Sequence, residues 1–279
     1  MKVLILGAKG SLGQTFIDVY QDHDVVAWDR AELDITDEAA VAEKISELKP
    51  ELIINCAAYN AVDRAEEERA IADQINGNAV GFIAKVANQI GATLVHFSSA
   101  YVFAGDKPEG YNEDDLPNPL SVYGKSKLLG EMEAQENTDQ MYVVRTTWLY
   151  GKLSETGKPS FVETMLKLGA ENREIKGIND EFGQPTNVLD LAQATRALVE
   201  VKKPFGIYHL TNSGQASWYD WAKEIFNIKK VSADLVPAKS QDFIRPAKRP
   251  QYGILNNTKF IELRPWTEAL KEFLMENKQ

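Results

Sequence analysis

A chain of 279 residues is long enough to bury a sizeable core, as one large domain or two unequal ones. With 44% hydrophobic and 26% charged residues, its composition is that of a soluble globular protein. The formal net charge of −10 argues against nucleic acid or an anionic membrane as partner, because both select basic surfaces, while an anionic small molecule stays compatible with cations gathered locally.

The opening MKVLILGAKG has too short an apolar run for a signal peptide, and no run approaches ~18 apolar residues, so the expectation is a cytoplasmic protein. Short apolar runs predict strands at VLIL (3–6), VVAW (25–28), LIIN (52–55), TLVHF (93–97) and YVVRT (142–146). Amphipathic helices are expected between them, among others over 37–48 and 78–91. Apolar strands alternating with such helices indicate a parallel sheet covered on both faces, doubly wound through right-handed crossovers. Cys56, the single cysteine, excludes an intrachain disulfide, and its neighbours in LIINCAA suit a buried structural thiol.

After Gly151 the alternation is lost and Gly and Pro break the pattern often. Residues 188–202, 217–226 and 266–274 read as helices, and 237–253 (PAKSQDFIRPAKRPQYG) as a proline- and cation-rich loop. The layout is a dinucleotide-type domain followed by a smaller, irregular cap.

In VLILGAKGSLG, Gly7, Gly10 and Gly13 follow the first strand at G-x-x-G-x-x-G spacing. Glycine allows a tight turn, lets backbone N–H groups approach a pyrophosphate, and permits close contact between helix and strand. The following helix then presents its N-terminus to phosphates, through Ser11 and Leu12. Asp29 closes the second strand where an acid would bind an adenosine ribose. Arg30 behind it and Lys9 within the loop could hold a 2′-phosphate, so the pattern leans to NADPH and leaves NADH open.

SSAYVFAG (98–105) ends the fourth strand in two hydroxyls. SVYGKSKLLGE (121–131) then carries Tyr123 and Lys127, four apart and so on one helix face. A phenol near pKa ~10 is a poor proton-transfer group at neutral pH, and an adjacent ammonium is expected to lower it. His96 and His209 lie in apolar runs and read as core, whereas AEEERA (65–70) and Glu113-Asp114-Asp115 read as a charged face and a solvated turn.

Together with LDITD (33–37), NCAAYNAVDRAE (55–66), RTTWLYG (145–151), EFGQPT (181–186), GIYHL (206–210) and RPAKRP (245–250), these features resemble the dTDP-4-dehydrorhamnose reductase family of extended short-chain dehydrogenase/reductases. The resemblance implies an α/β fold with a Rossmann-type NAD(P)-binding domain, residues 1–150 plus about 184–203. About 151–183 and 204–279 would form a smaller α+β substrate-binding domain. It implies hydride transfer from NADPH or NADH to the C4 ketone of a dTDP-linked 6-deoxy sugar. Tyr123 would protonate the forming alkoxide, Lys127 would tune Tyr123 and hold the nicotinamide ribose, and Ser99 would hydrogen-bond the ketone oxygen, where the family usually has threonine. Asp34 and Ile35 would lie near the adenine, and Ala57, Ala58 and Tyr59 would line the cofactor groove. Ala100, Tyr101 and Trp148 would face the sugar, and Arg245, Lys248 and Arg249 would supply charge to the diphosphate.

The chain departs from the family pattern at its sugar side. The usual S-T-D-Y-V-F-D-G has alanine at both aspartates, Ala100 and Ala104, and a serine–x–leucine–aspartate pattern appears as Gly253-Ile254-Leu255-Asn256. These losses leave open a different nucleotide-linked 4-keto sugar. A further reading, a cofactor-binding regulatory subunit without turnover, is disfavoured by intact Ser99, Tyr123 and Lys127. Thr15 stands where some family members carry a metal-linked glutamate, so no metal is expected. The expected assembly is a monomer or weak homodimer.

Overall fold

The computed structural model describes residues 1–276 other than Thr156, Lys158 and Asn172. Its first half alternates β1 (Lys2–Leu6), α1 (Ser11–Val19), β2 (Asp24–Trp28), α2 (Glu38–Leu48), β3 (Leu52–Asn55), α3 (Arg69–Asp73), α4 (Ala79–Ile90), β4 (Thr93–Ser99), α5 (Val122–Asn137) and β5 (Met141–Thr146). The second half contains β6 (Leu149–Tyr150), α6 (Phe161–Gly169), β7 (Glu174–Ile178), β8 (Phe182–Gly183), β9 (Thr186–Asn187), α7 (Val188–Glu200) and β10 (Gly206–His209). It continues through β11 (Asn212–Ser213), β12 (Ala216–Ser217), α8 (Trp218–Lys229), β13 (Asp234–Ala238), β14 (Leu263–Pro265) and α9 (Trp266–Glu276).

Six strands form one parallel sheet in the order β10-β5-β4-β3-β1-β2. Each apolar run read from the sequence lies within one of its first five strands. Their side chains alternate between two cores. Val3 and Ile5 pack with Phe16 of α1, with Tyr20 at its C-terminal end, and with Leu191 and Leu198 of α7. Leu4 and Leu6 pack on the opposite face with Ile45 of α2 and Val80 and Ile83 of α4. Burial on both faces explains why these runs are continuously apolar and not alternating. At about 1.5–3 kcal/mol for each fully buried aliphatic side chain, the two layers dominate the stability of the sheet.

The chain leaves β1 toward β2 on one side and crosses to β3 on the other. The carboxyl ends of β1 and β3 therefore flank the crevice in which doubly wound sheets bind ligands. A third core lies outside the sheet, built on Tyr150, Val162, Met165, Trp221, Phe226, Trp266 and Leu270. Before completing it, the chain returns to the sheet twice, as α7 and as β10. Residues 206–209, placed from sequence in the second region, pair with β5 in register from Gly206–Tyr142 to His209–Arg145. The reason is that GIYH is flanked by a loop on each side and satisfies the open edge of β5. No helix among the described residues is long and apolar enough to cross a membrane.

Candidate active site

A cleft of about 790 Å³ runs along the carboxyl ends of the sheet, from the glycine loop past the ends of β2 and β3 to β4, α5 and the turn after β5. The loop has the shape a pyrophosphate requires. Gly7 adopts φ +72°, and a β-carbon there would lie 2.6 Å from the Ala57 backbone nitrogen, so the β1 and β3 loops can meet only through glycine. Gly10 precedes α1 without any side-chain cap, leaving the first N–H groups of that helix free to meet an anion. The Ser11 hydroxyl beside them is buried and has no hydrogen-bond partner. Uncapped donors and an unsatisfied hydroxyl at one helix start fit a dinucleotide phosphate.

Leu12, Gly13, Asp29, Arg30, Asp34, Ile35, Ala57, Ala58 and Tyr59 also line the cleft. Arg30 bonds Asp34 at 3.2 Å, and Asp34 in turn accepts the Thr36 hydroxyl at 2.7 Å, so this end of the cleft is internally tied. Lys9 lies outside the lining and is exposed. Its carbonyl, and not its ammonium, carries the visible role, accepting from Ser154 Oγ and Glu155 N at 3.0 Å each. Of the two cations expected near a 2′-phosphate, Arg30 lines the cleft and the Lys9 side chain is exposed.

Ser99, Tyr123 and Lys127 converge on the same cleft. The start of α5 is fixed from two directions: Ser121 Oγ accepts from Gly124 N at 3.1 Å, and Glu66 accepts from Val122 N at 2.9 Å. That anchoring places Tyr123 in the first helical turn, edge-on to Tyr101 with ring centroids 5.5 Å apart. The Tyr123 hydroxyl reaches Asn60 Oδ1 at 3.5 Å. Burial pushes its phenol up to about 12, Tyr101 adds to the rise, and the Ser99 hydroxyl partly offsets it.

The expected lowering of the Tyr123 phenol by Lys127 is therefore corrected. The Lys127 ammonium is anchored on β4, donating to the Phe97 carbonyl at 2.6 Å. Burial lowers it to about 8, opposed by the Glu131 carboxylate and then by Cys56. The Tyr123 phenol is thus held in its protonated form at neutral pH. Cys56 itself lines the cleft half-buried, and burial pushes its thiol well up.

On the opposite side, Trp148 lines the cleft with φ +47°, a left-handed conformation rare for so large a residue. It is held there by stacking on Trp218, with ring centroids 3.8 Å apart. Tyr101 also lines the cleft, whereas Ala100, Arg245, Lys248 and Arg249 do not. Ala100 is buried, next to Gly253. The two arginines already have partners: Arg249 grips Asp63 at 2.6 and 2.7 Å, and Arg245 pairs with the buried Glu181. Lys248 is exposed. The cationic loop is thus a clasp onto Asp63 and Glu181, whose carboxylates compensate its charge.

Several residues escape a reading of local spacing. Glu113 is buried and not part of a solvated turn; it accepts from Thr258 Oγ1 at 2.6 Å and from the backbone of Thr258 and His209. In the segment read as a charged face, Glu66 caps α5 and Glu68 accepts the Tyr59 hydroxyl. His96 and His209 are fully buried. Glu131 and Arg145 form a buried ion pair with Nη2–Oε2 at 2.6 Å. Only the recurrence of 123, 127 and 131 on one helix face could have pointed to Glu131.

The family model described as "RmlD substrate binding domain" matches residues 1–279. A dTDP-4-dehydrorhamnose reductase of Streptomyces griseus is 38% identical over 282 residues, covering 96% of this chain and 91% of the relative. A probable dTDP-4,6-dihydroxy-2-methyloxan-3-one 4-ketoreductase of Streptomyces antibioticus is 38% identical, covering 98% and 94%. The crystal structure of dTDP-4-dehydrorhamnose reductase from Bacillus anthracis in complex with NADP superposes with a TM-score of 0.94 at 37% identity, covering 99% of both chains.

Proposed function

The chain belongs to the dTDP-4-dehydrorhamnose reductase family, and from that premise we propose that it is an NAD(P)H-dependent oxidoreductase reducing the 4-keto group of dTDP-4-dehydro-β-L-rhamnose to give dTDP-L-rhamnose. The observation that carries this reading is the convergence of Ser99, Tyr123 and Lys127 on one cleft with the glycine loop. The chemistry a bound nicotinamide supplies is hydride donation to the carbonyl carbon. Ser99 orients the ketone by donating to its oxygen. Tyr123, kept protonated by burial, delivers its proton to that oxygen as negative charge develops there. Lys127 holds the ribose and balances the phenolate that remains. Trp148 and Tyr101 wall the sugar side, and Arg249 and Arg245 stand behind them for the diphosphate once Asp63 and Glu181 share their charge.

Residues 1–150 with about 184–203 form the cofactor half in this reading, and β10 joins it through its pairing with β5. The remaining segments close over the sugar. The enzyme acts in the cytoplasm on a soluble nucleotide sugar, as a monomer or weak homodimer, with no nucleic acid or membrane partner.

A second reading keeps the reduction and changes the sugar; Ala100 and Gly253, which make a small apolar contact, favour it. The test is oxidation of NADPH and NADH, in parallel, with dTDP-4-dehydrorhamnose generated in situ. Tyr123→Phe should reduce kcat by ~10²–10⁴ while leaving NADPH binding intact. Turnover on other dTDP-4-keto sugars, with none on this one, would move the assignment to the second reading.

A further inference from the structure

Tyr123, Lys127 and Glu131 follow one another at intervals of four along α5, and the third of them has no part in the chemistry above. Glu131 is buried, with one oxygen receiving Arg145 Nε at 2.9 Å and the other Arg145 Nη2 at 2.6 Å. The Ser98 hydroxyl donates to the same carboxylate. Arg145 is equally buried; its remaining contacts are the Glu113 carbonyl at 3.2 Å and the face of Phe103. One carboxylate therefore joins three elements: α5, the end of β4 beside Ser99, and β5.

A buried charge pair of this kind is an expensive way to build a core, since apolar residues of similar volume often do as well or better. Its position suggests another role. Lys127 is buried one turn before Glu131, and Glu131 is the largest of the charges that favour its ammonium form. Around Lys127 stand Cys56 just after β3, His96 of β4 and Tyr123 of its own helix, with Arg145 of β5 behind Glu131. His96, buried beside the ammonium, is held neutral by burial and then by Lys127, so it offers no compensation. Among these groups Glu131 is the one carboxylate.

We propose that Glu131 is a positioning residue for the reduction: clamped by Arg145, it supports the Lys127 ammonium from one side and, through Ser98, fixes the strand end that carries Ser99. The carboxylate touches neither substrate nor cofactor; it acts through the two residues that do. Arg145 sets the orientation of the carboxylate, because its fork occupies both oxygens and leaves the remaining lone pairs for Ser98.

This inference rests on the reductase reading, and its test separates the two. Lys127 is followed directly by NMR of ¹⁵N-labelled lysine side chains across a pH titration, its signal identified by its loss in Lys127→Met. In parallel, the pH profile of kcat/KM is recorded with NADPH and dTDP-4-dehydrorhamnose. In Glu131→Gln, the Lys127 midpoint and the alkaline limb should both move down by about one pH unit. Glu131→Asp should return both toward the wild-type values. Because Glu131→Gln strands a buried guanidinium, Glu131→Gln/Arg145→Met is prepared beside it and carries the same expectation for direction. Folding of each variant is checked by NADPH binding and melting temperature.

A folded variant whose Lys127 midpoint and alkaline limb coincide with wild type overturns the inference and leaves the pair a purely structural one. If the wild type shows no turnover, the reductase reading fails, and the lysine titration still decides whether Glu131 supports Lys127.

Discussion

Ala100, between the cleft residues Ser99 and Tyr101, meets Gly253 of the C-terminal loop: a β-carbon on Gly253 would lie 3.7 Å from that of Ala100, in ordinary van der Waals contact. The aspartate and serine of the family pattern are thus absent from two positions that touch, one after β4 and one in the C-terminal loop. An aspartate or a serine at one position alone would be buried beside an apolar neighbour, whereas the present pair makes a small apolar contact.

Restoring the pair should therefore be non-additive. Ala100→Asp alone buries a carboxylate and is expected to destabilise by on the order of 3 kcal/mol. Gly253→Ser alone should be close to neutral, since a β-carbon there meets its neighbours only at ordinary contact distances, 3.5 Å and beyond. The double variant should recover about 1 kcal/mol relative to the sum. Denaturant unfolding of the four proteins measures the coupling, and strict additivity would rule the contact out as the reason for the joint loss.

Gly13 tests the phosphate loop. A β-carbon there would lie 2.3 Å from the Gly7 carbonyl oxygen, which no rotamer change relieves. Gly13→Ala should push α1 off the loop and weaken NADPH binding at least tenfold by calorimetry. Its effect on a dTDP probe should be small.

Acid stability should depend on His209. Burial holds its imidazole down at about 4, partly offset by Glu113. The unfolded chain therefore binds a proton near pH ~6.5 that the folded protein refuses, so this contribution is complete above ~6.5 and is lost as pH falls toward 4. Burial alone would raise the Glu113 carboxyl, yet the hydrogen bonds from Thr258 hold it below its usual value, and it acts with the same sign. Melting temperature should drop across this window, and His209→Gln should make the drop shallower. An unchanged slope would assign acid sensitivity elsewhere.

The clasp between Arg249 and Asp63 should matter for the nucleotide sugar and not for the cofactor. Arg249→Met removes the fork that grips Asp63 and the cation nearest Tyr101. The KM for the dTDP-sugar should rise by roughly tenfold or more, with the Kd for NADPH unchanged. An equal loss for both ligands would make the clasp a general structural tie.

How much of this was legible beforehand follows the range of the interactions. LIIN and TLVHF announce themselves as strands because a short, mostly apolar run fits a strand buried on both faces. Ser99, Tyr123 and Lys127 are legible because their spacing is local. GIYH was visible as a phrase and not as a strand, since it becomes one only by pairing with β5, more than sixty positions earlier in the chain. Two-residue strands such as β8 and β12 exist only through partners distant in the chain. Glu113 was misread because GYNEDDLP has the composition of a solvated turn, and nothing near it in sequence reveals Thr258 or His209. The Glu131–Arg145 pair is hidden for the same reason: burial of a charge is decided by a partner on another element.

The return of the chain to the sheet also orders events in time. The sixth strand ends at His209, and α7, which covers one face of the sheet together with α1, ends only at Glu200. A nascent chain that has exposed β5 but not yet residues 188–209 presents an open, apolar sheet edge and an uncovered layer, the condition in which strands pair with the wrong neighbour. The interval between synthesis of Thr146 and of His209 is thus the vulnerable stage of this protein's life, and slow translation across it would expose the chain to aggregation before its cleft could exist.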